Sequence, residues 1–459
     1  MSQDINILSP CGMLGYGFPE ESFRRGMAQR VHAVVVDAGS TDGGPHKLGA
    51  GVSIVSRRAY KKDLEIILGA CLPRKVPVII GSAGGSGAKP HVEWTLDIIE
   101  EILRERGMSA KIAVIWADFA QERVLEALRQ GKIVPMSPNI PLLTEQAIRE
   151  TASIVGQMGH EPVLKALESG SEIIVCGRAY DPSPFAAVGL FHGKDPGLSY
   201  HLGKILECGA LCAEPATTKD CILGTISDGH FTVRALSDCR ACTPISVAAH
   251  TFYEKDHPYL LHGPGFMLDL ESCTFTEPEP GVVRVSGSRF IPRDKTFIKL
   301  EGARLAAYRT FVIAGVRDPI LLRKLEEVEN AVIAQTKQYY PEIDERDYEI
   351  RFRNYGMNAV LGEREFEPFR GHEVGVLFEV VAKTQELASS ICATLRSTFL
   401  HYGYEGRKST AGNLAFPFAP SDIEFGPVYE FSVYHLMECR ADDFPIEYRQ
   451  GGVRNGEAG

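Results

Sequence analysis

His32 to Pro45 read HAVVVDAGSTDGGP. Ala33 to Val36 form an unbroken apolar run, which suits a strand buried on both faces of its sheet rather than one with a wet side. The run then stops at Asp37 and gives way to small, polar and glycine residues, the composition of a turn that exposes its backbone. The same grammar recurs on both sides. Upstream, Ile5 to Leu8 (INIL) end in CGMLGYG, Cys11 to Gly17. Downstream, VPVIIG (Val76 to Gly81) ends in SAGGSGAKP, KIAVIWAD (Lys111 to Asp118) ends in its own aspartate, and EIIVCG (Glu172 to Gly177) ends in RAYDP.

Between these runs lie stretches of helix formers. A helix is expected from about Pro19, with Glu20 and Glu21 near its positive end. Others are expected over Glu93–Arg106, Gln121–Gln130 and Thr144–Ser169. In the last of these Ile148, Ala152, Val155 and Met158 fall at three- and four-residue steps, an apolar stripe. Strands alternating with helices imply right-handed βαβ units and a parallel sheet with helices on both faces.

The texture changes near Cys221. CILGTISDGHFTVRAL places two β-rich runs around Asp228-Gly229, a hairpin signal. The last third carries a β run near Arg309–Val316, a helix over Pro319–Tyr339 and strands near Tyr348–Asn354 and Glu373–Ala382. A helix at Thr384–Phe399 and a strand at Tyr429–Met437 follow, which together make the ferredoxin-like β-α-β-β-α-β order. The expected class is therefore α/β. It comprises a parallel domain over 1–220, a β-rich segment over 221–300, a ferredoxin-like α+β module over 301–440 and a tail over 441–459, of which GGVRNGEAG reads as disordered.

Composition narrows the function classes. Among 459 residues, 49 basic against 59 acidic side chains give a formal charge of −10, and no basic block exceeds a pair, so a nucleic-acid partner is not expected. No apolar run approaches the roughly 18 residues of a spanning helix, and the start lacks the features of a signal peptide, so a cytoplasmic location is expected. The 11 cysteines include CGALC (Cys208, Cys212) and CRAC (Cys239, Cys242). These admit a zinc site, but the irregular spacing favours reduced, buried thiols.

In an open parallel sheet, ligands bind beyond the carboxyl ends of the strands. Those ends collect Asp37, Ser40 and Asp42; Ser82, Gly84, Gly85, Ser86 and Lys89; Asp118; and Arg178 and Asp181. Glycine loops at helix starts suit an anion, either a carboxylate or the pyrophosphate of CoA, but equally form plain structural turns. Neither G-x-G-x-x-G nor G-x-x-x-x-G-K-[ST] is present, so no nicotinamide or flavin is expected. The aspartates read either as caps or as a general acid/base pair, and Asp181, before a proline, reads best as a cap. Asp37, Asp42 and Asp118 could alternatively hold a hard divalent cation such as Mg²⁺. Arg178 is placed to clamp a carboxylate bidentately or to pair with a neighbouring aspartate. His160, between a glycine and Glu-Pro, is a candidate acid/base by its near-neutral pKa. His250, His257 and His262 lie in a loop-rich segment expected to cap the site or meet a subunit.

The stretches DAGSTDGGPHKLG, GSAGGSGAKPHVEWTLDII, PMSPNIPLLTEQA, GQMGHEPVLKALESG and VCGRAYDPSPFAA resemble the acyclic terpene utilisation protein A (AtuA) family. The resemblance spans about Ile5 to Asp318, and GNLAFPFAPSDIEFGPVYEFSVYHLM resembles a small domain that accompanies such proteins. The family's gene contexts, breakdown of citronellol and geraniol as CoA thioesters and tricarboxylate uptake, imply small carboxylic acids or acyl-CoAs as substrates. They identify no reaction. The expected function is a hydro-lyase (hydratase or dehydratase) or isomerase of such compounds, with Asp37, Asp42, His160 and Asp181 as catalytic candidates. The alternatives are a non-catalytic binding or assembly subunit and a CoA-dependent acyltransferase or thioesterase. Strands of the last third are apolar on both faces, so a homo-oligomer is expected.

Overall fold

The computed structural model describes residues 3–39, 44–253, 256–408 and 412–452. It forms two compact units, Met1–Arg304 with Phe431–Gly459, and Leu305–Glu430. The fold is mixed α/β, with a large mixed sheet and helices.

In the first unit, β1 (Ile5–Ser9), β2 (Ala33–Asp37), β3 (Val78–Gly81) and β4 (Ser109–Ile115) are followed by β5 (Ile133–Pro135), β6 (Ser153–Gly156) and β7 (Ile173–Cys176). Parallel pairing runs in the order β1-β2-β3-β7-β4. Alternate residues of these strands point to opposite faces, and both faces are buried. Ile7, Val35, Ile79, Ala113 and Ile174 join one cluster with Phe185, Leu202 and Val163 from helices. Leu8, Val34, Ile80, Val114 and Val175 join another with Leu64, Ile99 and Phe23. This explains the unbroken apolar runs, since each fully buried aliphatic side chain contributes about 1.5–3 kcal/mol.

The sheet extends beyond its parallel centre to ten strands. The hairpin Ile222–Ser227 and His230–Ala235 pairs antiparallel with β1 and continues into Val282–Ser286 and Thr274–Glu279. The segment after residue 220 thus adds strands to the sheet of the segment before it. At the other edge Ile446–Gly452 pairs antiparallel with β4, so Gly451 and Gly452 of the expected tail are strand residues. Residues 453–459 of that tail lie outside the described residues. Among the described residues no helix is long and apolar enough to cross a membrane.

The helix expected over Thr144–Ser169 is two short helices, Glu145–Glu150 and Glu161–Glu168, separated by β6. Of the expected stripe, Ile148, Val155 and Met158 are buried but Ala152 is exposed, and the four do not share one element. The backbone of β6 pairs with Leu300–Ala303, which offers its β-branched residues a ladder that a helix could not use. Helix Arg57–Cys71 went unread in the sequence. The histidine-rich segment is also more ordered than expected. His250 sits on helix Pro244–Phe252, capped by Thr243 and Ser246, and Leu260–Gly263 pairs with Phe266–Asp269.

In the second unit strands are ordered Tyr348–Tyr355, Val374–Ala382, Phe297–Val316, Asp422–Glu438, two of which begin or end in the first unit. Helices Leu325–Tyr339 and Gln385–His401 bury Val328, Val332, Ile391 and Leu395 against Val312, Val376 and Phe378.

Candidate functional site

The loops at the carboxyl ends of β1, β2, β3 and β7 are tied to one another in the order of the strands. Leu14 N donates to Asp37 O (2.9 Å), Ala38 N to Gly81 O (2.8 Å), Ala83 N to Cys176 O (2.9 Å) and Arg178 N to Gly87 O (3.1 Å). The approach is close enough to require glycine at two points. A Cβ on Gly39 would lie 1.9 Å from Gly85 O, and one on Gly87 would lie 2.2 Å from Arg178 N.

Several amides of the loop after β3 are engaged within the fold. Gly84 N reaches Tyr60 Oη (3.3 Å), and Gly85 N and Gly87 N bond back within the loop. Ser82 and Ser86 are buried. Lys89 opens the next helix, its amide held by Asp118 Oδ1 (2.9 Å) and its ammonium exposed beside Glu93. The loop that carries Ser82, Gly84, Gly85, Ser86 and Lys89 is thus folded on itself and on Tyr60 and Asp118. Ser82 itself is strained, with φ +48°. Its hydroxyl oxygen accepts from Arg178 Nη1 (3.0 Å) and Ala179 N (3.1 Å), which holds the conformation.

Arg178 is buried. Its Nε donates to Glu301 Oε2 (2.8 Å), and its Nη1 donates to Asp181 Oδ1 (2.9 Å) and Ala179 O (3.1 Å). Glu301, 0% exposed, also meets Lys299 Nζ (2.8 Å). The expected pairing of Arg178 with a neighbouring aspartate forms, and Glu301 holds its Nε. Asp181 makes this pair rather than capping the next helix, whose N-cap is Pro182.

Asp37 is buried at the end of β2, with Gly39 N donating to its Oδ1 (3.2 Å). Burial and the Asp181 carboxylate push its pKa well above the ordinary range; Arg178 opposes this in part, and Glu207 adds to the rise. Glu207 follows helix Pro196–Leu206 and takes Lys204 Nζ on Oε1 at 2.5 Å. The same chain end is locked to the β1 loop, because Ser9 Oγ donates to Leu206 O (2.7 Å). Cys208 lies 3.3 Å from Tyr253 Oη, and burial with Glu207 pushes its thiol up to about 12, which makes it a poor nucleophile. His250, stacked on Tyr253, is driven down to about 4 by burial and Lys204.

The sequence candidates divide accordingly. Asp37, Arg178 and Asp181 share one electrostatic cluster. Ser40 and Asp42 lie outside the described residues. Asp118 follows β4, three strands from β2 in the sheet, and its Oδ1 accepts from Lys89 N. Among the described residues no group of three or more His, Cys, Asp or Glu side chains could hold a metal. The cysteine motifs separate too, with Cys212 beside Cys242 and Cys239 exposed against Ser237. His160 bonds Tyr200 Oη through Nδ1 (2.8 Å), its pKa lowered by burial. It approaches the cluster through the rings of Tyr200 and Tyr180.

Residues 56–415 match the sequence model of the acyclic terpene utilisation family protein AtuA. The chain belongs to this family. The matched span runs well past Asp318, where the resemblance in motifs ended, and begins after the DAGSTDGGPHKLG stretch. No curated protein and no solved structure matches this AtuA-family chain.

Sequence reasoning missed Lys204, Glu207, Tyr180 and Glu301. A lysine and a glutamate three residues apart in LGKILECGALC were the available signal, since a charged pair in so apolar a stretch is buried only when paired.

Proposed function

We propose that this protein is a cytoplasmic enzyme of catabolism that moves a proton on the carbon beside the carbonyl of a small carboxylic acid or its thioester, as a hydro-lyase or isomerase. The observation that carries the reading is a buried Asp37 flanked by Arg178 and Asp181 where loops from four adjacent parallel strands meet. Asp181 is paired with Arg178, and Glu207 with Lys204. Burial, with the Asp181 and Glu207 carboxylates adding to it, makes Asp37 hold its proton more tightly than a surface aspartate, which brings it closer to the pKa useful for acid and base work at neutral pH. Arg178, fixed by Glu301, positions Asp181 and limits how far the Asp37 pKa can rise. The family's description, utilisation of acyclic terpenes, suits breakdown of branched acids.

The test is deuterium incorporation from D₂O into hydroxy-di- and tricarboxylates and enoyl thioesters, followed by NMR. Exchange that disappears in Asp37→Asn supports the reading. Absence of exchange or hydration with every compound overturns it.

For the second unit we propose a ferredoxin-like module that assembles a homo-oligomer. Its strand order and helix placement support the first part. The sheet face away from the helices supports the second: Ile313 is 38% and Phe425 50% exposed, and Glu379 is held there by Arg309 (2.7 Å) and Arg353 (2.6 Å).

A further inference from the structure

The Tyr180 hydroxyl is buried and makes no hydrogen bond within the described residues. The residue follows Arg178 and Ala179 beyond β7, and its amide donates to Met158 O (3.0 Å). Its ring lies against Tyr200 and Phe266, with centroids 6.5 and 6.1 Å away. The aromatic packing fixes where the hydroxyl sits. A buried hydroxyl without a partner is costly, and such groups in native sites call for an explanation. A ligand that accepts the bond supplies one.

The charges around it restrict that ligand. Burial, with Glu207 and Asp181 adding to it, holds the Tyr180 pKa well above its ordinary value, so the hydroxyl is a neutral donor. Against the carboxyls of Asp37, Asp181 and Glu207 stand two cations. Arg178 is bonded to Glu301 and Asp181, and Lys204 to Glu207. A free carboxylate brought here would add a negative charge where both cations are already paired. Removing the proton beside it would place a second charge on the same group. An uncharged carbonyl meets neither cost, and its developing oxyanion needs only preorganised donors.

We infer that Tyr180 is a catalytic residue which donates its hydrogen bond to the carbonyl oxygen of the substrate, and that the reacting group is an uncharged carbonyl, a thioester above all, rather than a free carboxylate. This deepens the proton-transfer reading and rests on it. The α C–H bond breaks, its proton passes to the Asp37 carboxylate, and the electron pair forms an enolate whose oxygen accepts from Tyr180. Return of the proton to the α or γ carbon completes exchange or isomerisation. Loss of a β-hydroxyl, protonated by the same carboxyl and leaving as water, completes dehydration.

The test compares wild type and Tyr180→Phe in D₂O on matched pairs: N-acetylcysteamine thioesters of saturated, α,β-unsaturated and β-hydroxy acids, and the same acids free. Wild type is expected to exchange the thioesters and leave the free acids untouched. Tyr180→Phe should lose about 10²-fold or more in kcat, the scale of one oxyanion donor, with KM changed little. Exchange confined to the free acids overturns the substrate class and leaves the proton-transfer reading standing. Thioester exchange within threefold of wild type in a folded Tyr180→Phe overturns the role of Tyr180. Inert acids and thioesters alike overturn both the inference and the reading beneath it. The wild-type arm decides the substrate class even if the variant fails to fold.

Discussion

Replacing Glu301 by alanine tests the electrostatic foundation of the site. Glu301 is fully buried and holds Arg178 Nε and Lys299 Nζ, both at 2.8 Å. Removing one partner of a buried pair typically costs about 3–5 kcal/mol, because the remaining charge stays out of water. Arg178 keeps Asp181 at 2.9 Å, and the Lys299 side chain is 17% exposed and can reach solvent, so the low end, about 3 kcal/mol, is expected. The chain's two tryptophans, Trp94 and Trp116, both lie in the first unit, so urea unfolding followed by their fluorescence reports that unit. With an m value of about 3 kcal/mol/M the midpoint should fall by about 1 M. The double change Glu301→Leu with Arg178→Met should recover most of the loss, since apolar replacement of a buried pair is often neutral. Glu301 titrates below its ordinary value of 4.5, chiefly because Arg178 and Lys299 overcome the effect of burial. Its contribution is therefore present above pH 4.5 and is lost as pH falls through the lowered folded value, so the gap between wild type and Glu301→Ala should narrow on acidification. A midpoint within about 0.2 M of wild type at pH 7, or a double variant as unstable as the single, would refute the argument.

Three further outcomes follow from the same structure. The raised Asp37 pKa favours the fold fully below its ordinary 3.8, and that advantage is lost as pH rises through the folded value. Asp37→Asn should consequently raise the melting temperature of the first unit at pH 8 relative to wild type while abolishing exchange activity; a lower melting temperature would contradict this. In the second unit burial pushes Glu329 from 4.5 to about 7, with Asn354 Nδ2 as its hydrogen-bond partner at 3.2 Å. That unit should lose on the order of 3 kcal/mol between pH 4.5 and 7, seen as faster amide exchange, corrected for intrinsic rate, in helix Leu325–Tyr339; Glu329→Gln should flatten the profile. Ile313→Lys places a charge on the open sheet face, and light scattering should show a smaller assembly with unchanged secondary structure; an unaltered mass would remove that face from the interface.

Much of the local structure was legible because periodicity and turn chemistry belong to neighbours in sequence. The runs at Ile5, Ala33, Val78, Lys111 and Ile173 are strands because apolar, largely β-branched residues dominate them, and Asp228-Gly229 turns a hairpin, with Gly229 at φ +77°. The strand ends told where polar groups gather, and Asp37, Arg178 and Asp181 do meet there. What each group does depends on segments far away in the chain. Residues 153–156 carry helical spacing, yet become a strand because Leu300–Ala303 supplies their hydrogen bonds. Asp118 looks like Asp37 in sequence, but strand order sets it three places away. Nothing local to Arg178 announces Glu301, 123 residues later, which holds its Nε. Sequence pattern determined which residues are strands, turns and strand-end charges, since those follow from local sterics and solvation. Only the tertiary structure decided which charges are already paired and which hydroxyl is left without a partner, since pairing and desolvation arise between residues the chain brings together only on folding.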